Sequence, residues 1–110
     1  MTSIRFFRTG SKIHGFIVKG HSGYASSGQD IVCAAVSAVT QTAVIGLLEV
    51  VEINILLDVK DKDGYLKCML PQGFELDPKW NDSQIVLYTL FKGLKAICAE
   101  YGDFLKIEEV

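Results

Sequence analysis

DIVCAAVSAVTQTAVIGLLEVVE, residues 30–52, decides the fold. Asp30 stands where a helix N-cap belongs, because its carboxylate can accept the free N–H groups of a first helical turn. After it, Val32, Val36, Val39, Ala43, Leu47 and Val50 recur at the three-and-four spacing of a buried helical stripe. A second apolar group, Ile31, Ala34, Ala38 and Ile45, lies on another side. A helix that is apolar on two sides needs cover on both. In a chain of 110 residues the second cover is either the rest of the fold or a second copy, so a homodimer is one expectation.

Ahead of this helix, GHSGYASSGQ (residues 20–29) has three glycines and three serines, which makes it a loop. Before that, SIRFFRT (3–9) and KIHGFIVK (12–19) alternate like strands around a Gly10-Ser11 turn. Strict alternation puts Ile13, Gly15, Ile17 and Lys19 on one face, and His14, Phe16 and Val18 on the other. Beyond the helix, INILLDVK (53–60) and GYLKCML (64–70) form a second strand pair across a turn at 61–64, followed by a loop from Pro71 to Pro78. Asn81 with Gln84 has capping-box spacing and predicts the start of a second helix. That helix buries Val86, Leu87, Leu90, Leu94, Ile97, Cys98 and Tyr101 and stops at Gly102 in the usual C-terminal manner. FLKIEE (104–109) adds a last strand. The reading is α+β: a single domain over residues 1–110, of order ββαββαβ, with two helices packed on a small sheet.

With 49% hydrophobic and 22% charged residues, the composition excludes a disordered chain, and a net charge of -2 argues against a direct nucleic-acid partner. MTSIRFFRTG has no uninterrupted apolar run and does not read as a signal peptide. Ser, Thr, Gln, Gly and Glu break the apolar stretches short of the roughly 18 residues of a membrane span, so no membrane partner is expected. Cys33, Cys68 and Cys98 are an odd number at wide spacing, a poor disulfide framework that suits the reducing cytoplasm.

The chemistry gathers where the loop meets the helix. Cys33 is the third residue after the cap, in the first turn, where free N–H groups and the helix dipole favour a thiolate. His21 is on the adjoining loop and can take the thiol proton, and amides of the same turn can hold an oxyanion. The structural alternative stands beside this one: free Cys is among the most buried residue types, and IVCAAV suits a helix core. On a helical wheel Cys33 lies about a quarter-turn from the centre of the stripe, with Ser37 and Thr40 on its side. Asp30 supports the helix as a cap, yet its charge opposes a thiolate. Cys68 and Cys98 read as buried and inert, and His14 as an ordinary sheet histidine. No His or Cys pair has zinc spacing, GYASSGQD lacks the ending of a phosphate loop, and no cofactor or metal is expected.

GHSGYASSGQDIVCAAVSAV, residues 20–39, resembles the bacterial ribosomal-processing cysteine protease family. That family typically carries Gly-His-Ala-Gly-Tyr-Ala, a short Gly-containing loop, then Asp-Ile-Val-Cys-Ala-Ala-Val-Ser. Gly20, His21, Gly23, Tyr24, Ala25, Gly28 and the run from Asp30 to Ser37 match; Ser22 departs from the common Ala. The resemblance implies a cysteine endopeptidase with Cys33 as nucleophile and His21 as general base. Asp30 and Ser37 support the site, and Gly20, Ser22, Gly23, Tyr24 and Gly28 belong to a substrate-binding loop. It also implies a homodimer. The implied substrate is the twenty-seventh protein of the large ribosomal subunit, whose N-terminal extension is removed by a cut after a Phe-Phe pair and before a small residue. The competing reading is a non-catalytic, ribosome-associated module that binds a ribosomal protein.

Overall fold

The computed structural model describes residues 1–20, 30–60, 62 and 64–110. Strands β1 (Thr2–Thr9), β2 (Lys12–Lys19), β3 (Leu56–Lys60), β4 (Tyr65–Met69) and β5 (Leu105–Glu109) form one sheet, in the order β3-β4-β2-β1-β5. Only the β1–β5 pair is parallel. Helix α1 (Ile31–Ile45) continues as a π-helical turn, Gly46–Val50, and α2 spans Trp80–Tyr101. The α+β class and the order ββαββαβ are those expected from the sequence.

The registers place two apolar rows on the sheet face that meets the helices: Ile4–Val18–Leu66–Val59, and Phe6–Phe16–Cys68–Leu57. Ile4, Val18, Phe6, Phe16 and Cys68 of these rows are buried in one cluster with Leu47, Leu87 and Leu94, and Leu66 packs against it. The Phe6 and Phe91 rings meet edge to face at 5.1 Å between centroids. Burying aromatic rings of this size contributes about 2–3 kcal/mol each.

The β2 strand does not alternate strictly. Its pairing with β1 shifts between Phe7/Gly15 and Arg8/Ile13, so His14 is an extra residue in a β-bulge. The bulge resets the alternation and turns Ile13 to the same side as Phe16 and Val18, where all three are buried. The irregular backbone is satisfied from α2. The Ile13 N–H donates to Gln84 Oε1 at 2.9 Å, and Gln84 Nε2 donates to the Ile13 carbonyl at 2.8 Å. Gln84 is therefore a buried clamp and not part of a capping box. The first turn of α2 lacks a side-chain cap; Asp77 Oδ1 instead accepts from the Lys79 N–H at 2.8 Å. Next to the bulge, a Cβ on Gly15 would lie 2.4 Å from the Cys68 carbonyl oxygen, so only glycine permits this strand spacing.

Two element ends also differ from expectation. The first helix leaves through Glu52 at φ 63°, with the Ile53 N–H donating to the Leu47 carbonyl, a closing turn usually given to glycine. Residues 53–55 are consequently irregular, and β3 starts only at Leu56. Gly102 caps α2 at φ -60°, in the right-handed region, so no left-handed stop is made there.

The stretch Ile31–Val50, at mean hydropathy 2.1, is long and apolar enough by length and composition to cross a membrane. Its polar residues do not break it as the sequence reading supposed. In this fold one side of it is buried, through Val32, Val36, Thr40, Ala43, Val44 and Leu47. Val39 is only partly covered, Val50 is exposed, and the second apolar group, Ile31, Ala34, Ala38 and Ile45, faces outward.

Candidate active site

Asp30 is the N-cap of α1, in extended backbone conformation (φ -78°, ψ 100°), and its carboxylate accepts from the Cys33 N–H at 2.9 Å. The Ala34 N–H donates to the Asp30 carbonyl at 3.0 Å. The capping role expected for Asp30 is present, and the carboxylate itself is buried. The bond occupies the amide of Cys33, which lies beside its own sulfur.

Cys33 is half-buried at the edge of a recess of about 200 Å³. One wall is α1, through Cys33, Val36, Ser37 and Thr40; the other is the sheet row Val18–Leu66–Val59 with Tyr65. Ser37 is one helical turn on from Cys33 and accepts a hydrogen bond from Gln41 Nε2 at 2.8 Å. Gly20 lines the same recess at φ 83°, where a Cβ would lie 2.9 Å from the Met1 carbonyl oxygen. Of the residues singled out in the sequence, the structure brings Cys33, Ser37 and Gly20 to one recess, with Asp30 directly beneath the cysteine. His21, Ser22, Gly23, Tyr24 and Gly28 lie outside the described residues.

The other expected bystanders are elsewhere. His14 sits at the bulge, with Nδ1 3.4 Å from Glu75 Oε1 and its ring against Trp80. Cys68 is buried in the core, and burial pushes its thiol up to about 12. Cys98 is half-buried and its Sγ–H donates to the Leu105 carbonyl at 3.4 Å. Thr2, Val18, Val59, Tyr65 and Leu66 were not singled out in the sequence. They come from four different strands, and no local pattern marks them as neighbours of Cys33.

The difference among the thiols is measurable. Near pH 7.5 only about one Cys68 thiol in 10⁴ or fewer is ionised, so iodoacetamide should modify Cys33 and spare Cys68 until the protein unfolds. Peptide mapping after partial alkylation reads this directly. Equal labelling of both in the native protein would contradict the placement of Cys68 in the core.

A cysteine at a helix start, beside an apolar recess, can attack a carbonyl whose side chain is held in that recess. Known proteins carry the same arrangement of elements. A Staphylococcus aureus ribosomal processing protease Prp, solved with a covalently linked product peptide, superposes at TM-score 0.88 with 22% identity, covering 100% of both chains. At that identity the likeness shows the fold. A Streptococcus mutans protein superposes at TM-score 0.81 with 26% identity, over 100% of this chain and 96% of that one. In sequence, the ribosomal processing cysteine protease Prp of Bacillus subtilis is 32% identical over 84% of this chain and 81% of its own length. The family model of cysteine protease Prp matches residues 1–106, and with the fold and the thiol-bearing helix start already in place, the chain belongs to that family of cysteine proteases.

Proposed function

We propose that this protease removes an N-terminal extension from a large-subunit ribosomal protein, the twenty-seventh, cutting after a Phe-Phe pair and before a small residue. The observation that carries the reading is Cys33 at the first turn of α1, on the edge of an apolar recess large enough for a side chain. Relatives in Bacillus subtilis and Staphylococcus aureus bear the name of ribosomal processing protease, which supports the substrate class. Acting on newly made ribosomal protein places the enzyme in the cytoplasm.

In this reading Cys33 passes its thiol proton to His21, and the sulfur attacks the carbonyl carbon of the second Phe of the pair. The imidazolium returns the proton to the leaving amine as the C–N bond breaks. A thioester remains on Cys33, and water activated by His21 hydrolyses it to the free carboxylate and thiol. The support for His21 is covalent: it directly follows Gly20, whose backbone lines the Cys33 recess. Asp30 holds the helix start and so positions Cys33, and Ser37 flanks the sulfur one turn away.

The test is intact-mass analysis of a peptide spanning the Phe-Phe site after incubation with the protein. Two new products are the expected result, one ending in Phe-Phe and the other beginning with the small residue that follows. Tight binding with no product would instead favour the non-catalytic, ribosome-associated module.

We also propose a homodimer built on the outward side of the helices. Ile31, Ile45, Val50 and Ile85 are exposed, and a groove between α1 and α2 is lined by Ala38, Val39, Thr42, Gly46 and Ile85. Light scattering should give twice the chain mass, and Ile85→Glu should return it to one. A monomeric wild-type chain at tens of micromolar would reject the dimer.

A further inference from the structure

We infer that the sheet face turned away from the helices binds single-stranded RNA, with phosphates on its lysines and unpaired bases on its half-exposed rings. This binding is separate from the cleavage reaction; only the choice of RNA over DNA rests on the proposed ribosomal-protein substrate.

Both helices pack on one side of the sheet, against Ile4, Phe6, Phe16 and Val18. The opposite face is built from the alternate residues of the same strands: Arg5 and Phe7 on β1, Ile17 and Lys19 on β2, Lys67 and Met69 on β4. None of these side chains is buried. The dimer proposed above uses the helices and leaves this face open.

Charge sets the face apart. In register it carries Arg5, Lys19, Lys60, Lys67 and Lys106, against Asp58 and Glu108. Positive charge is in excess here, on a chain whose net charge is -2. The whole-chain sum that argued against a nucleic-acid partner therefore conceals a local cationic surface. Glu108 is occupied at the β5 edge, by Arg5 at 3.3 Å and Lys106 at 2.9 Å. Among the described residues, no carboxylate forms an ion pair with Lys19, Lys60 or Lys67, although Lys67 stands across from Asp58.

Rings lie among these cations. The Lys19 and Lys60 ammonium groups are 5.9 and 5.2 Å from the centre of the half-buried Tyr65 ring, and Phe7 is half-buried on the same face. Half-exposed rings between lysines on a flat sheet suit a strand whose bases offer π-faces and whose phosphates need counter-charges. An acidic protein segment would satisfy the lysines and leave the rings unused. Tyr65 also borders the Cys33 recess, so a bound strand would lie next to the cleft.

The experiment is fluorescence anisotropy of a labelled single-stranded RNA of about 12 nucleotides, titrated with the full chain. The variants are Phe7→Ala and the triple change Lys19→Gln, Lys60→Gln, Lys67→Gln. None of these residues lines the Cys33 recess, so both variants should cleave the Phe-Phe peptide as the wild type does. Neutralising about three phosphates of a single strand predicts that affinity falls roughly 20-fold between about 50 and 200 mM salt. The triple variant should bind about tenfold more weakly or worse and lose most of that salt dependence. Phe7→Ala should bind about tenfold more weakly with the salt dependence unchanged.

No wild-type binding at about 50 mM salt would overturn the inference, and wild-type affinity in the triple variant would move the site off this face. Equal affinity for duplex RNA or for polyglutamate would overturn the role of unpaired bases. Tighter binding of single-stranded DNA would overturn the assignment to RNA. A wild-type dimer that becomes a monomer in Phe7→Ala would make the face an interface between copies and overturn the inference too. Failure of the wild type to cleave the Phe-Phe peptide would count against the proposed substrate alone, because binding is read without catalysis.

Discussion

Cys33→Ala should lower kcat for the Phe-Phe peptide by roughly 10⁴-fold or more while the folded chain remains as stable as the wild type. The loss is large because no other group among the described residues of the recess can form the thioester: Ser37 and Thr40 are hydroxyls, and Thr40 is tied to the Val36 carbonyl. Stability should hold because Cys33 is only half-buried, so the side-chain change leaves little cavity. Its amide keeps the bond to Asp30, which does not depend on the side chain. Intact mass of the peptide and a thermal melt of the variant measure the two quantities together. Residual cleavage within tenfold of the wild type would move the nucleophile elsewhere. His21→Ala should also abolish turnover; if it leaves the rate unchanged, the base is another residue.

Gln84→Leu should destabilise the fold by about 3 kcal/mol. Leucine keeps the volume but strands two buried backbone groups, the N–H and the carbonyl of Ile13, which the wild-type amide satisfies at 2.9 and 2.8 Å. Each such group left unpaired costs on the order of 1–3 kcal/mol. Urea unfolding of the variant checks the size. A loss under about 0.5 kcal/mol would mean that the bulge finds other partners. Gln84→Glu sharpens the test through its sign with pH. Burial raises a carboxyl pKa, and only the protonated acid can donate to the Ile13 carbonyl, so this variant should recover stability relative to the wild type as pH falls.

Most of the element order was legible in the sequence because its signals are local. The periodicity of residues 31–47, the Asp30 cap and the Gly10-Ser11 turn each act within a few residues of chain. The bulge at His14 was not legible, because it is a mismatch in count between two strands and appears only when β1 and β2 are paired. Gln84 misled for the same reason. Its spacing from Asn81 matches a cap motif, yet its side chain is drawn 71 residues away to the irregular backbone of Ile13. Glu52 misled because it takes the left-handed turn that sequence reasoning reserves for glycine.

The candidate site divides along the same line. By itself the sequence determined that a cysteine stands in the first turn of a capped helix, that a histidine and a glycine-rich loop precede it, and that Ser37 shares its side. Contiguous chain and helical geometry suffice for that. Only the tertiary structure decided that Thr2, Val18, Val59 and Leu66 would stand opposite that cysteine, that the Thr2 hydroxyl would be buried without a partner among the described residues, and that Ile31, Ile45 and Ile85 would face outward. Strand register and helix docking set these neighbours. Both arise from pairings between distant segments, whose energies depend on the whole packed core and not on any one stretch of chain.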